Sequence, residues 1–215
     1  MPNRETTPER DCPLCPRLEA FRLENRAAHA DWFNAPVPSF GGDDAVLLIV
    51  GLAPGLKGAN RTGRPFTGDY AGDLLYPTLL KYGFADGRYR ACASDGLRLK
   101  DCRITNAVRC VPPQNKPTGA EVAACRPFLS REIETLENLR MILALGVVAH
   151  NAVLADVGEK LGAWRFGHGT VHALPDAPLL IDSYHCSRYN TNTGRLTEAM
   201  FHAVFDRIRE TIPEK

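Results

Sequence analysis

Residues able to do chemistry gather at four places in this chain of 215 residues. The first is a glycine-rich stretch, Gly51-Leu52-Ala53-Pro54-Gly55-Leu56-Lys57-Gly58-Ala59-Asn60-Arg61-Thr62-Gly63-Arg64-Pro65-Phe66-Thr67-Gly68-Asp69. It holds five glycines and two prolines in nineteen residues, a composition that argues against regular structure. It argues for a tight loop whose backbone amides approach a ligand closely. Phe66 in that loop offers a face for stacking or fills a core. Asp69 orients a water or caps the helix that follows. The second place is Asn106, whose planar donor–acceptor pair reads a pyrimidine edge or caps a turn. The third is His185-Cys186-Ser187-Arg188, where an imidazole follows an apolar run as a catalytic group or a structural ring. The fourth is the set Cys12, Cys15, Cys110 and Cys125. Thiolates suit zinc or an iron–sulfur cluster, and the alternative is a chance pair plus unrelated core cysteines. Cys92, Cys102 and Cys186 have no neighbour at ligand spacing and read as ordinary thiols. His150 and His202 lie inside helical patterns and read as structural.

The elements that must position these groups alternate between strand and helix. Arg17 to His29 reads as a helix, and Asp31 to Asp44 as a connector rich in proline and glycine. Ala45 to Val50 is a continuous apolar run fit for a central parallel strand, and it leads directly into the glycine loop. A helix follows over Gly72 to Tyr82, stopped by Gly83. Asp86 to Lys100 is ambiguous and reads as an irregular excursion. Arg103 to Val108 is the next strand, ended by Pro112-Pro113. Thr118-Gly119-Ala120-Glu121 has the form of a capping box opening a helix to about Asn138. A strand over Met141 to Leu145, a helix over Val147 to Val157, a strand over Leu179 to Tyr184 and a helix over Arg195 to Glu210 complete the order. Such alternation implies a parallel sheet covered by helices. The loops at its carboxyl edge are then the expected ligand site.

Composition excludes several classes. With 44% hydrophobic and 24% charged residues, the bulk of the chain is not disordered. A net charge of +1 leaves no global basic footprint, so nucleic acid must be met locally, by arginines such as Arg61, Arg64, Arg188 and Arg195. No apolar run reaches the ~20 residues that span a bilayer. The polar start, Met1 to Arg10, has no signal-peptide core. The chain is expected to be cytoplasmic and to form a single domain over 1–215, with 1–11 mobile. An odd count of seven cysteines fits thiols or metal ligands better than disulfides.

Three ordered motifs carry a resemblance. Gly51-Leu52-Ala53-Pro54-Gly55 with Gly58 to Asp69, then Thr105-Asn106-Ala107-Val108-Arg109-Cys110, then Tyr184-His185-Cys186-Ser187-Arg188-Tyr189-Asn190 with Thr193-Gly194-Arg195-Leu196-Thr197, resemble the motifs of the uracil-DNA glycosylase superfamily. The likeness is specifically to its family five, the iron–sulfur branch of thermophiles and actinobacteria. The match runs from Cys12 to Phe205. One departure is Cys186, where relatives often have proline or valine.

The resemblance implies an α/β/α three-layer sandwich around a four-stranded parallel sheet. It implies that Cys12, Cys15, Cys110 and Cys125 hold a structural [4Fe–4S] cluster, and that a base is flipped out of DNA into the pocket. The leaving base needs a donor aimed at its O2, a role for His185. Asp69 orients or activates the water. Gly51, Ala53, Gly55, Gly58, Phe66 and Asn106 are the expected substrate contacts. Asn60, Arg61, Ser187, Arg188, Tyr189 and Asn190 are the expected DNA contacts. The related family four carries glutamates at the positions of Leu52 and Gly58. Their absence moves water activation to Asp69 and suggests room beside Gly58 for hypoxanthine. The expected partner is DNA holding uracil or other deaminated bases, met by a monomer that sits on the nucleoid and not on a membrane. Two other classes remain: a non-catalytic damaged-DNA-binding module with a metal staple, and a phosphate-binding α/β enzyme. The second lacks a GKS/T end to its loop.

Overall fold

The computed structural model describes residues 6–213. Of the stretch expected to be mobile, residues 1–5 lie outside the described residues. Thr6 and Pro8 are buried, and Glu9, Arg10 and Asp11 are exposed. Arg26 donates to the Arg10 carbonyl and pairs with Asp11.

The chain orders its elements as α1 (Pro16–Ala28), β1 (Phe40–Gly41), β2 (Leu47–Gly51), α2 (Ala59–Thr62), α3 (Tyr70–Lys81), β3 (Ala85–Asp86), β4 (Arg98–Leu99), β5 (Cys102–Asn106), α4 (Gly119–Thr135), β6 (Met141–Leu145), α5 (Val147–Asp156), β7 (Val171–His172), β8 (Leu179–Ser183), α6 (Arg188–Asn192) and α7 (Glu198–Thr211). Among the described residues the central sheet has six strands in the order β1-β5-β2-β6-β8-β7. The four expected parallel strands form its middle. Two-residue antiparallel strands cap both edges, β1 on β5 and β7 on β8. Covering the edges removes unpaired backbone groups that would invite another chain.

Alternation along β2 explains the layers. Leu47 and Ile49 face a core shared with Leu75 and Leu79 of α3 and Phe201 and Phe205 of α7. Leu48 and Val50 face the opposite core, with Leu129 of α4 and Ala149 and Val153 of α5. Side chains alternate across a strand, so an all-apolar strand demands cover on both faces. Helix α4 opens on the expected capping box: the Thr118 hydroxyl accepts from the Glu121 amide and Glu121 accepts from the Thr118 amide.

The glycine stretch differs from expectation in one respect. Ala59–Thr62 closes a single helical turn, with the Thr62 amide on the Gly58 carbonyl (2.9 Å) and the Gly63 amide on the Ala59 carbonyl (2.8 Å). Four residues without glycine suffice for one turn, and Gly63 ends it at φ +75°. The excursion after Asp86 is spanned by the β3–β4 hairpin pairing.

Candidate active site

Parallel pairing aligns Gly51 with Asn106 and Leu145 with Ser183. The four central strands therefore end along one edge. A cavity of about 530 Å³ lies there, and Phe66, Asp69, Asn106, His185, Ser187 and Arg188 all line it.

Asn106 is the last residue of β5 and is buried. Its Oδ1 has no hydrogen-bond partner among the described residues. Gly51 makes that placement possible: a methyl group there would stand 2.5 Å from Asn106 Oδ1 and 2.5 Å from Phe66 Cζ. Phe66 has φ +55°, a left-handed conformation that bulky residues avoid. Its ring lies 5.9 Å from the His185 ring, with 30° between the planes. His185 follows β8, and among the described residues no group hydrogen-bonds its ring. Burial lowers its pKa to about 4, so the ring is a neutral imidazole at neutral pH. The Asn190 side chain donates to the His185 carbonyl (2.8 Å) and fixes this turn.

Asp69 stands at the N-cap of α3, yet its side chain makes no cap bond. The carboxylate turns back into the glycine loop and accepts from the Ala59 amide (3.1 Å). Burial raises its pKa, partly offset by the amides of Ala59 and Gly55 and by the Arg61 charge. With the Asp69 carboxylate in this place, neither facing position has room for a side chain. A methyl group at Gly58 would be 2.0 Å from Asp69 Cγ, and one at Gly55 would be 2.1 Å from Oδ1. This corrects the reading of Gly58: the space beside it is filled by Asp69, and Gly58 itself is buried outside the cavity lining.

Residues 38–209 match the family model described as the uracil DNA glycosylase superfamily. The chain belongs to that superfamily. It is similar to the type-5 uracil-DNA glycosylase of Thermus thermophilus, 46% identical over 195 residues that cover 88% of this chain and 89% of the relative. The type-5 uracil-DNA glycosylase of Mycobacterium leprae is 45% identical over 202 residues, covering 90% and 88%. That of Pyrobaculum aerophilum is 39% identical over 191 residues, covering 87% and 83%.

In this glycosylase chain, Arg61, Arg188 and Tyr189 are exposed, and Tyr189 is 72% accessible. The Arg188 guanidinium lies 5.1 Å from the centre of the Tyr70 ring. Asn60 departs from the expected DNA surface. It is fully buried, and its amide donates to Asn34 Oδ1 (2.9 Å), so it braces the loop from inside. Tyr70, Asn115, Val147 and Val148 line the cavity without having been singled out in the sequence. Only Asn115 carried a signal, as a residue tolerant of left-handed backbone (φ +55°) just after a proline pair.

The cysteine set assembles as expected. Cys12, Cys15, Cys110 and Cys125 face one small pocket with Leu14, Leu18, Arg22 and Phe128. Arg22 donates to Cys110 Sγ and the Arg109 amide to Cys125 Sγ, both at 3.4 Å. Arg22 Nε is buried without a partner, so the pocket holds a donor its protein atoms do not use. Burial pushes Cys15 up to about 11 and Cys110 up to about 12. A bound metal centre offsets that cost by holding the sulfurs as thiolates. Among the described residues, no three of these sulfurs lie within 4.8 Å of one another. One tetrahedral zinc, with Zn–S of about 2.3 Å, draws its sulfurs to about 3.8 Å. Four thiols around one pocket suit a thiolate-bound metal centre.

His150, Asp182 and His172 also cluster, but as a hydrogen-bonded trio. His150 Nδ1 meets Asp182 Oδ1 at 2.7 Å and Nε2 meets the Trp164 carbonyl at 3.0 Å. The Trp164 carbonyl only accepts, so Nε2 carries a hydrogen. Burial alone lowers this pKa, and the Asp182 carboxylate and Trp164 carbonyl together offset it, leaving it raised. His150 is thus structural, as the sequence suggested.

Proposed function

We propose that this chain hydrolyses the bond between C1′ of deoxyribose and N1 of uracil in DNA, acting as a monomer on a base flipped out of the duplex. The observation that carries the reading is the buried, unpartnered Oδ1 of Asn106 in a cavity shared with Phe66, Asp69 and His185. An orphaned buried acceptor is costly unless a ligand supplies its donor. The N3–H of uracil is such a donor, and the amide NH₂ of Asn106 serves the neighbouring O4.

In this mechanism Phe66 stacks on the flipped ring. As the glycosidic bond breaks, its electron pair passes to the base and charge develops on O2. The neutral His185 imidazole donates its N–H there. Water adds to C1′ and its proton passes to the Asp69 carboxylate. Arg188 and Tyr189 fill the gap left in the duplex, and Arg61 and Ser187 hold phosphates. Cys12, Cys15, Cys110 and Cys125 hold a [4Fe–4S] cluster. It supplies a structural tie between the amino-terminal segment and α4, with no redox step.

The same edge reads hypoxanthine, whose six-membered ring presents the same N–H beside a carbonyl. Space for its second ring comes from the small residues Ala53, Ala71 and Gly146 on the cavity wall. The test is a set of duplexes carrying uracil, hypoxanthine, ethenocytosine or thymine opposite guanine, scored for abasic sites. Release of uracil and of hypoxanthine is expected. Tight binding with no base release would favour a non-catalytic damage-binding module, and release of uracil alone would remove hypoxanthine.

A further inference from the structure

The segment between β3 and β4, residues 87–97, has no strand or helix of its own and does not line the cavity. It nevertheless holds the most tightly bound acid beside the glycine loop. Asp95 receives both terminal nitrogens of Arg64, each at 2.8 Å, and the amides of Arg90 and Leu97, each at 3.0 Å. Both side chains are buried. The Arg64 guanidinium also lies 5.1 Å from the centre of the Phe40 ring and 5.3 Å from that of Tyr76. A buried ion pair is a weak source of stability, and its best-attested use is to fix one arrangement among several.

The arrangement fixed here is that of Phe66. Arg64 Nε donates to Thr67 Oγ1 (2.6 Å), and Tyr76 donates to the Pro65 carbonyl (2.5 Å). The Tyr89 hydroxyl bridges the Phe66 carbonyl (3.4 Å) and the Gly68 amide (3.3 Å). Gly72 lets this layer close: a methyl group there would be 1.9 Å from the Phe66 carbonyl oxygen and 2.6 Å from the Tyr89 hydroxyl. Both neighbours of Phe66 and its own carbonyl are therefore held while its backbone stays left-handed (φ +55°). Such strain persists only where the surroundings over-determine it.

We propose that Arg64, Asp95 and Tyr89 are positioning residues for base excision, holding Phe66 in this strained conformation so that its ring forms the stacking wall of the pocket. This rests on the reading that the pocket takes a flipped base. Tyr89→Phe is the informative variant, because it keeps the ring stacked on Tyr76 (4.5 Å between centroids) and deletes only the bridging hydroxyl. Asp95→Asn keeps the volume and removes the charge.

A misplacement of about 1 Å costs on the order of a hundredfold in rate, so a lost bridge should slow single-turnover uracil release roughly tenfold and a lost ion pair more. Affinity for an abasic duplex should be unchanged, since the exposed arginines are untouched. In a Phe66→Leu background neither change should slow release further, because there is no ring left to position. A wild-type rate in Tyr89→Phe, or an equal loss in both backgrounds, overturns the role. If Asp95→Asn does not fold, Tyr89→Phe decides alone. Wild-type protein that releases no uracil overturns the activity itself, and the positioning role with it.

Discussion

The Asp69 carboxylate occupies space that side chains at Gly55 and Gly58 would need, and this decides how its charge behaves. Burial favours the protonated acid, while the amides of the glycine loop favour the carboxylate. The net shift is upward from 3.8. A base must be deprotonated to accept the proton of water, so its activity is lost as pH falls through that raised value, sooner than for a free aspartate. His185 titrates near 4 and stays neutral above it, so it adds no loss at neutral pH. Single-turnover rates against pH should fall on the acid side. Asp69→Asn should be slower by about 10²–10⁴-fold and lose that acid limb. An unchanged rate would remove Asp69 from the chemistry. That Phe66, Asp69, Asn106 and His185 would meet at one edge was legible because each ends or closely follows a strand or sits in the glycine-rich loop. Asn60 was misread because burial leaves no mark on one asparagine within a loop. Nothing in the sequence showed that Asp69 would fold inward onto Gly58.

Elements carry the cysteine pocket. Glu132 of α4 is fully buried and accepts from Arg103 Nε (2.6 Å) and Arg109 Nη2 (2.5 Å). Arg109 precedes Cys110, so this network ties the loop after β5 to the helix that bears Cys125. Arg17 of α1 binds the Glu121 carboxylate at 2.8 and 2.7 Å and joins the first helix to the same one. Removing one member of a buried ion pair leaves uncompensated charge, so Glu132→Ala should cost about 3–5 kcal/mol in denaturant unfolding. It should also lower the iron content of purified protein. Iron is the expected metal, and wild-type protein holding zinc without iron would contradict the cluster. Long apolar strands and the capping box at Thr118 were readable, because each is a local pattern. The edge strands β1 and β7 were not, because two residues carry no period. The Arg64–Asp95 pair was hidden for a related reason: its partners lie 31 positions apart, and one sits in a segment without pattern.

At the scale of the whole molecule, the four parallel strands bring chain-distant residues to one edge. No helix of the described residues is long and apolar enough to cross a membrane. With a net charge of +1, DNA must be met by local charge, and the proposed contacts Arg61 and Arg188 are both exposed. The most direct measurement is a crystal structure of the Asp69→Asn variant bound to a duplex carrying one uracil. The expected result is a uracil outside the helix, its ring on Phe66, its N3–H at Asn106 Oδ1 and its O2 beside His185. A uracil still stacked in the duplex, with the cavity at the sheet edge empty, would contradict it.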